Sequence, residues 1–334
     1  MTINISGAVA FRDVAYRVIN GLYGAQLTSV NVDTPANAPT SLKVTWTGQI
    51  SSLFGSQTVT VHAYYNGAVA GIQDLAQNRN VSYLASSTQG DTTTVSQQSD
   101  LAFGSVFQAS TAYTSPILED RKFGVTPVFF VKSTSAPAGL TNITTQQYRV
   151  LAANGYVPGW YLTGNTNDTA NIYYISRDPT AGQRVIVQKE NGYNGAVISY
   201  SWSGTAFTND PAGRSSTQIS SQLNSSGPAV SFLTGVDAVN VNGGANILAQ
   251  NGYKAFLGAY SSVSNNHAAV ITGQYTQWGY EHLLVRSTAS TQVKAFRDAV
   301  LTAIDADLQT SAYSLPVSKV KVERTGEGST VTPL

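Results

Sequence analysis

The sequence contains no cysteine, which excludes disulfide bonds and every metal or redox site that needs a thiol. Charged residues are also scarce: they make up 11% of the 334 residues, and the formal net charge is +1. This balance gives no electrostatic basis for binding nucleic acid or an anionic membrane surface. Low charge combined with many Thr, Asn, Tyr and Gly residues favours an exported protein instead.

Long apolar runs are missing as well. None approaches the roughly 20 residues that a membrane-spanning helix needs. The chain starts almost at once with a strand-like segment, N-I-S-G-A-V-A-F, and not with a basic stretch followed by an apolar one. We therefore expect no membrane insertion, and we expect any signal peptide to have been removed. The expected location is the periplasm, the extracellular space or the cell surface.

The motifs of several common enzyme classes do not occur. The sequence has no G-x-S-x-G elbow, no G-x-G-x-x-G turn, no G-x-x-x-x-G-K-[ST] loop and no H-E-x-x-H pair. Its three histidines, His62, His267 and His282, are far apart and share no metal-ligand spacing. The sequence therefore predicts no catalytic residue, no metal site and no cofactor, and we expect a protein that is not an enzyme.

What the chain does contain is an alternation of strand and helix patterns. Hydrophobic residues make up 42% of it, enough for a sizeable core. A strand, a turn of small residues and a helix occur near the N-terminus and again from Thr58, where a strand ends at Asn66-Gly67. Helices are predicted from near Thr141 or Thr144, over 183–190, around 214–224 and over 290–308, whereas the polar stretch 77–98 is predicted to be a loop. This alternation indicates α/β layers with parallel or mixed sheets.

Four loops of small residues are candidate binding sites. In α/β sheets, ligands bind beyond the carboxyl ends of the strands, where helix N-termini present free N–H groups and the positive end of the helix dipole. The candidate loops in this sequence are Ser6–Phe11, Asn66–Gly71, Ser99–Asp100 and Arg177–Gly182.

The order of these segments resembles the type 2 periplasmic solute-binding proteins, in particular their phosphate-type branch. I-S-G-A-V-A-F is similar to the first loop of that family, Y-N-G-A-V-A-G-I to the second, and Q-S-D-L-A-F to its Ser-Asp loop. G-V-T-P-V-F-F-V-K-S is similar to a crossover strand, and R-D-P-T-A-G-Q to the arginine followed by Ser-Gly-Thr at a helix start. G-Q-Y-T-Q-W-G-Y-E-H-L resembles the strand that returns to the first domain.

The resemblance implies a fold of two α/β lobes, each a mixed sheet flanked by helices, joined by two crossover hinge strands. Lobe 1 would comprise residues 1–124 and 272–334, and lobe 2 residues 125–271. A small oxyanion or polar solute would bind in the cleft between them for delivery to an ABC transporter permease.

Each site residue follows from the same resemblance. Ala10 and Phe11 would offer backbone N–H groups, and Asp100 would accept a proton from a protonated oxyanion. Arg177 would supply a bidentate guanidinium. The remaining ligand-binding residues would be Asn66 and Ser99 in their loops, and Ala181, Gly182 and Gln183 at the helix start.

Departures from the family pattern leave an alternative open. Ala10 stands where the phosphate-type proteins have a hydroxyl, and Ala181-Gly182-Gln183 stands in place of Ser-Gly-Thr. Each missing hydrogen bond to a charged ligand is worth roughly 1.5–3 kcal/mol. The alternative hypothesis is a secreted or cell-surface protein that self-assembles and has a degenerate ligand site. Arg177 would then pair only with a carboxylate such as that of Asp178, which also suits a helix N-cap ahead of Pro179.

Overall fold

The computed structural model describes residues 1–256, 267–311 and 314–334. They form two compact units. Unit 1 comprises Met1–Gly124 and Tyr280–Thr310, and unit 2 comprises Val125–Gly279 and Ser311–Leu334. The predicted lobes differ from these units at 272–279 and 311–334, which were both assigned to lobe 1. Residues 257–266 of the predicted lobe 2 lie outside the described residues.

The C-terminal segment packs in unit 2 because its side chains and backbone bond there. Arg324 is fully buried, pairs with Glu190 at 3.1 Å and lies over the Trp278 ring at 4.2 Å. The backbone N–H of Lys321 donates to the carbonyl of Ile271 at 3.0 Å. These partners are far from the segment in sequence. The local sequence pattern of the segment therefore does not predict that it packs in unit 2.

The strands are numbered along the chain. They are β1 (Thr2–Gly7), β2 (Leu27–Val32), β3 (Lys43–Gln49), β4 (Thr58–Tyr64), β5 (Asn80–Leu84), β6 (Thr94–Gln98), β7 (Leu101–Gly104), β8 (Glu119–Pro127), β9 (Phe129–Lys132), β10 (Asn142–Ile143), β11 (Tyr156–Pro158), β12 (Asn171–Tyr174), β13 (Tyr200–Trp202), β14 (Phe207–Asn209), β15 (Ala229–Leu233), β16 (Ala249–Gln250), β17 (Trp278–Val285), β18 (Leu315–Pro316), β19 (Val322–Glu323) and β20 (Thr332–Pro333).

The α-helices of the described residues are α1 (Arg12–Tyr23), α2 (Ser51–Phe54), α3 (Ala68–Ala76), α4 (Thr145–Asn154), α5 (Gly159–Thr163), α6 (Gly182–Glu190), α7 (Ser216–Ser225), α8 (Gly235–Val239), α9 (Ala268–Ile271) and α10 (Thr291–Leu308). Among these residues, no helix is both long and apolar enough to cross a membrane.

Unit 1 is built on a mixed sheet. Its strands are ordered β8-β17-β7-β1-β4-β3-β2, with β1 parallel to both β4 and β7. Helices α1 and α10 pack together and contribute to the hydrophobic core with apolar residues of β1, β3, β4 and β7. Helix α3 packs against β1 and β7. The chain passes from one unit to the other three times: within β8, within β17 and after α10.

Unit 2 contains a four-stranded sheet in the order β11-β12-β15-β9. Strands β12 and β15 are parallel, whereas β11 and β9 run antiparallel to their neighbours. Helices α6, α7 and α8 pack against β15, and α4 packs against β11 and β12. The mixed α/β class predicted from the sequence is confirmed in both units.

Most predicted elements are confirmed, but the loop predicted over 77–98 is wrong. Strands β5 and β6 form an antiparallel hairpin there, with Val81 and Tyr83 buried on one face. The Ser, Thr and Gln residues that suggested a loop are mostly on the exposed side of the hairpin. A one-sided strand can have such a composition, because only alternate side chains need to be apolar.

Candidate functional site

The arginine that the sequence singled out lies in unit 2, just beyond the end of β12. Arg177 is 2% exposed, and its Nε atom donates to the carbonyl of Arg214 at 3.2 Å. Nη1 donates to Oε1 of Gln183 at 3.2 Å, and Nη2 lies 3.8 Å from the Asp178 carboxylate. The guanidinium is therefore held in place by its own unit, with a weak, long ion pair to Asp178.

The start of α6 lies beside this guanidinium. Ala181 is the N-cap residue, and Gly182 and Gln183 are the first two helical residues. Among the described residues, no side chain caps the helix. The first N–H groups of a helix have no intrahelical acceptor, and they lie at the positive end of its dipole. Arg177 and the start of α6 thus bring together a cation and backbone donors.

Asp178 does not cap α6, contrary to one reading of the sequence. The helix begins at Gly182, and Oδ1 of Asp178 instead accepts from the backbone N–H of Thr180 at 3.1 Å and from its hydroxyl. Pro179 accordingly lies in the turn before the helix and is not its first residue. Asp178 closes that turn, and the helix starts three residues later than the reading of Asp178 as its N-cap would place it.

Thr234 is a further polar residue at the same edge, and the sequence analysis missed it. It directly follows β15, which runs parallel to β12, so both strands have their carboxyl ends here. Its hydroxyl lies 3.5 Å from Nε2 of Gln183. The available signal was a threonine directly after the buried strand P-A-V-S-F-L.

In unit 1, the first predicted loop follows β1. Ala10 lies in a short 3-10 turn, Val9–Phe11, whose first N–H groups have no acceptor within the turn. The Phe11 side chain is buried against Phe103 and Phe123, with ring centroids 6.4 and 4.8 Å away. The side chains of Ala8, Val9, Ala10 and Phe11 are apolar, so the polar groups that these residues could offer a ligand are backbone groups.

The side chain of Asn66 joins this loop to the second one. Its Oδ1 atom accepts from the backbone N–H of Gly7 at 3.1 Å, and its Nδ2 atom donates to Asp74 at 2.8 Å. The N–H of Gly67 adds a bond to the carbonyl of Gly7 at 2.8 Å. Asn66 therefore holds two loops of unit 1 together.

Asp74 on α3 was not singled out from the sequence, although its carboxyl group is buried. Burial raises its pKa, while the Asn66 amide and the charge of Arg79 oppose that increase. Nothing in the helical pattern of residues 68–76 distinguishes this aspartate from an exposed one. Its buried environment arises in the folded structure, where the chain after β4 places Asn66 beside α3.

Ser99 and Asp100 precede β7 and therefore lie at its amino end. The backbone N–H of Asp100 donates to the carbonyl of Asn4 at 2.8 Å, and its Oδ2 atom accepts from the N–H of Asn4 at 2.9 Å. Burial raises the pKa of Asp100, and the contact with Asn4 opposes the increase. Ser99 is buried and bonds the hydroxyls of Ser6 and Tyr83 at 2.9 and 2.6 Å.

The structure thus brings the predicted residues of each unit together only in part. Arg177, Ala181, Gly182 and Gln183 form one cluster in unit 2. In unit 1, Asn66 is beside the loop of Ala10 and Phe11, but Asp100 lies at the other end of β7 from the carboxyl ends of the strands. Within the part of the chain that the structure describes, no group of three or more His, Asp or Glu side chains could hold a metal ion.

No protein-family model matches the sequence, and no curated protein matches it. Solved structures match its fold. An ABC-type phosphate transport receptor from Vibrio cholerae is 14% identical with a TM-score of 0.54, and the alignment covers 91% of this chain and 95% of that one.

Two further structures agree. A protein from Clostridium perfringens, assigned as a phosphate ABC transporter substrate-binding protein and containing bound phosphate, is 12% identical, with a TM-score of 0.58 and coverage of 95% and 100%. A human phosphate-binding apolipoprotein is 11% identical, with a TM-score of 0.53 and coverage of 95% and 92%. At such identities the similarity establishes the fold, and this chain has the fold of the type 2 periplasmic binding proteins.

Proposed function

We propose that the protein is an extracytoplasmic solute-binding protein that binds a small, phosphate-like oxyanion through Arg177 and the start of α6. The observation that carries the proposal is the position of a buried guanidinium beside a helix whose N-cap residue, Ala181, has no capping side chain. Parallel strands β12 and β15 end at the same place. This combination of cation, free N–H groups and strand ends is a common anion-binding arrangement.

The proposed oxyanion would be held by backbone donors and by side-chain donors. The backbone N–H groups of Gly182 and Gln183 would contact the oxyanion directly, and the hydroxyl of Thr234 lies within the same hydrogen-bonded cluster. Arg177 already donates hydrogen bonds to Arg214 and Gln183 within unit 2. We therefore expect it to stabilise the ligand mainly through its positive charge. The shortage of hydroxyl donors predicts weaker binding than a site with Ser-Gly-Thr at this position.

A transport role is part of this proposal. Structures of similar fold include an ABC-type phosphate transport receptor, which supports delivery of the solute to an ABC transporter permease. The low charge of the sequence supports a location in the periplasm or at the cell surface.

The proposal is tested by calorimetric titration of the full chain with inorganic phosphate and with sulfate. We expect saturable binding that Arg177→Gln weakens by roughly tenfold or more, because a charged hydrogen-bond donor is lost. Lys189→Gln is the matched control, since Lys189 is an exposed cation near the other end of α6. Equal affinities in wild type and Arg177→Gln would refute the site.

The self-assembling surface protein is the second candidate. It is favoured because the side chains of Asn66, Ser99 and Asp100, which the resemblance assigns to the ligand site, form hydrogen bonds within unit 1 instead. Sedimentation velocity of the purified chain distinguishes the two: ordered, concentration-dependent association without heat from either anion supports assembly, whereas a monomer at high concentration counts against it.

A further inference from the structure

Three buried polar atoms lie at one edge of the unit 1 sheet without a hydrogen-bond partner among the described residues. They are Nε of Arg12, the hydroxyl of Tyr65 and Oγ of Ser105. Arg12 follows the loop after β1, whereas Tyr65 and Ser105 directly follow β4 and β7. Because β1 lies between β4 and β7 and is parallel to both, these residues share the carboxyl edge of three adjacent strands.

Arg12 is the charged member of this group. It is 9% exposed, and its Nη1 atom donates to the carbonyl of Val9 at 2.9 Å. That bond folds the side chain back over the start of α1, where it adds a full charge to the positive end of the helix. The nearest acidic residue in sequence, Asp13, pairs instead with Arg17 at 3.2 Å.

Tyr65 places a neutral hydroxyl close to this cation. Its side chain is 1% exposed, and its ring centroid lies 6.5 Å from that of Phe103. Burial raises the pKa of Tyr65, the charge of Asp13 raises it further, and the charge of Arg12 opposes them. The phenol therefore keeps its proton at ordinary pH and remains a donor within the electrostatic reach of Arg12.

An unpaired buried donor is costly to a folded protein unless a ligand satisfies it. We propose that Arg12 and Tyr65 donate to an anionic oxygen of a small solute at the carboxyl edge of unit 1, with the Ser105 hydroxyl as a further donor. This inference rests on the proposed function for the class of ligand and adds residues that the sequence analysis did not identify. Arg12 and Tyr65 supply donors in a loop region where Ala8, Ala10 and Ala68 offer no hydroxyl.

The test is a titration of the full chain with phosphate, sulfate and acetate, the last as a probe for carboxylate ligands. We expect Arg12→Gln to weaken binding of the preferred anion by roughly 10-fold to 100-fold, and Tyr65→Phe by about 10-fold. Arg121→Gln is the control, because it removes one exposed positive charge from unit 1. Its affinity should equal that of the wild type.

Thermal unfolding separates a binding role from a structural one. Tyr65→Phe removes a hydroxyl that has no partner among the described residues, so the midpoint without anion should be unchanged or higher, whereas the increase produced by the anion should shrink. If the hydroxyl only stabilised the fold, the midpoint without anion would fall and the increase would be retained. This variant keeps the test decisive even if Arg12→Gln folds poorly.

The outcomes distinguish this inference from the proposed function. Unchanged affinity in Arg12→Gln and Tyr65→Phe, with binding lost in Arg177→Gln, overturns this inference alone. Binding lost in Arg12→Gln and retained in Arg177→Gln supports it and refutes the unit 2 site. No detectable binding of any of the three anions by the wild type overturns both.

Discussion

The Nδ2 atom of Asn66 donates to Oδ2 of Asp74 at 2.8 Å, which couples a loop that follows β4 to the middle of α3. The Oδ1 atom of the same amide accepts from the backbone N–H of Gly7. One side chain therefore connects three segments of unit 1. These two bonds use one N–H and one lone pair of the amide.

Asn66→Ala is expected to destabilise the protein by about 2–3 kcal/mol, because both bonds are lost and the buried Asp74 carboxyl loses its amide donor. The measurement is the free energy of unfolding from urea titration. Gln77→Ala is the control, since Gln77 is exposed at the C-terminal end of α3, the helix that carries Asp74. A loss below about 0.5 kcal/mol would contradict the linking role of Asn66.

Asp74 predicts a particular pH dependence of stability. Burial raises its pKa in the folded protein above the unfolded value, so the folded state binds this proton more tightly. The resulting stabilisation is present at low pH and is lost as the pH rises through the folded pKa. Above the folded pKa, the buried ionised carboxylate destabilises the folded state.

Asp74→Asn should therefore be more stable than the wild type at pH 7, by roughly 1 kcal/mol, because it retains an acceptor for Asn66 without the charge. The ion pair with the half-exposed Arg79 is long, at 3.7 Å, and its loss should matter little. Unfolding measured from pH 7 to pH 4 should show the advantage shrinking. An advantage that grows towards acid would disprove the assignment.

The elements that the sequence predicted well are those determined by local bonds. Helix α4 begins after Thr144, one of its two predicted starts, because Thr144 and Gln147 cap each other's backbone N–H groups at 3.2 and 2.9 Å. Helix α10 is capped by the hydroxyl of Ser290, which accepts from the backbone N–H of Val293 at 3.2 Å. In both cases donor and acceptor are three residues apart, so the sequence contains the whole interaction.

Two features were missed, one with a local partner and one with a distant partner. Asp178 preceded a proline and matched a helix start, but its carboxylate bonds Thr180 and the helix begins at Gly182. Asp100 matched a Ser-Asp loop, but its position before β7 places it at the amino end of that strand, beside Asn4. The pairing of β1 with β7 decides the position of Asp100, and a single sequence does not contain that pairing. For Asp178, the competing partner was local: the carboxylate closes a turn with Thr180 and does not cap the helix.

Gly7 and Gly21 should respond in opposite ways to the same substitution. Gly7 has φ +120°, and a Cβ there would overlap the backbone oxygen of Phe103. Gly7→Ala should therefore destabilise unit 1 by about 3 kcal/mol or more. Gly21 lies within α1, and a methyl group there would meet no tertiary neighbour within 4 Å among the described residues, so Gly21→Ala should stabilise by roughly 0.5–1 kcal/mol. Urea titration of both variants checks the pair, and equal effects would contradict the close approach at Gly7.

The ion pair between Glu190 and Arg324 should hold the C-terminal segment in unit 2. Arg324 has no exposed side-chain surface, and the side chain of Glu190 is 12% exposed. Removing one member of a buried pair leaves the other charge poorly compensated. Glu190→Gln should therefore destabilise the protein by about 3 kcal/mol.

The double variant Glu190→Gln with Arg324→Met tests whether this loss arises from the charge itself. Because it leaves no buried cation at this position, it should be less destabilising than the sum of the two single variants, by about 1–3 kcal/mol. Lys321→Ala, at an exposed position of the same segment, should change stability by less than about 0.5 kcal/mol. Strict additivity of Glu190→Gln and Arg324→Met would show that the two side chains act independently, and the C-terminal segment would then be held by its apolar and backbone contacts.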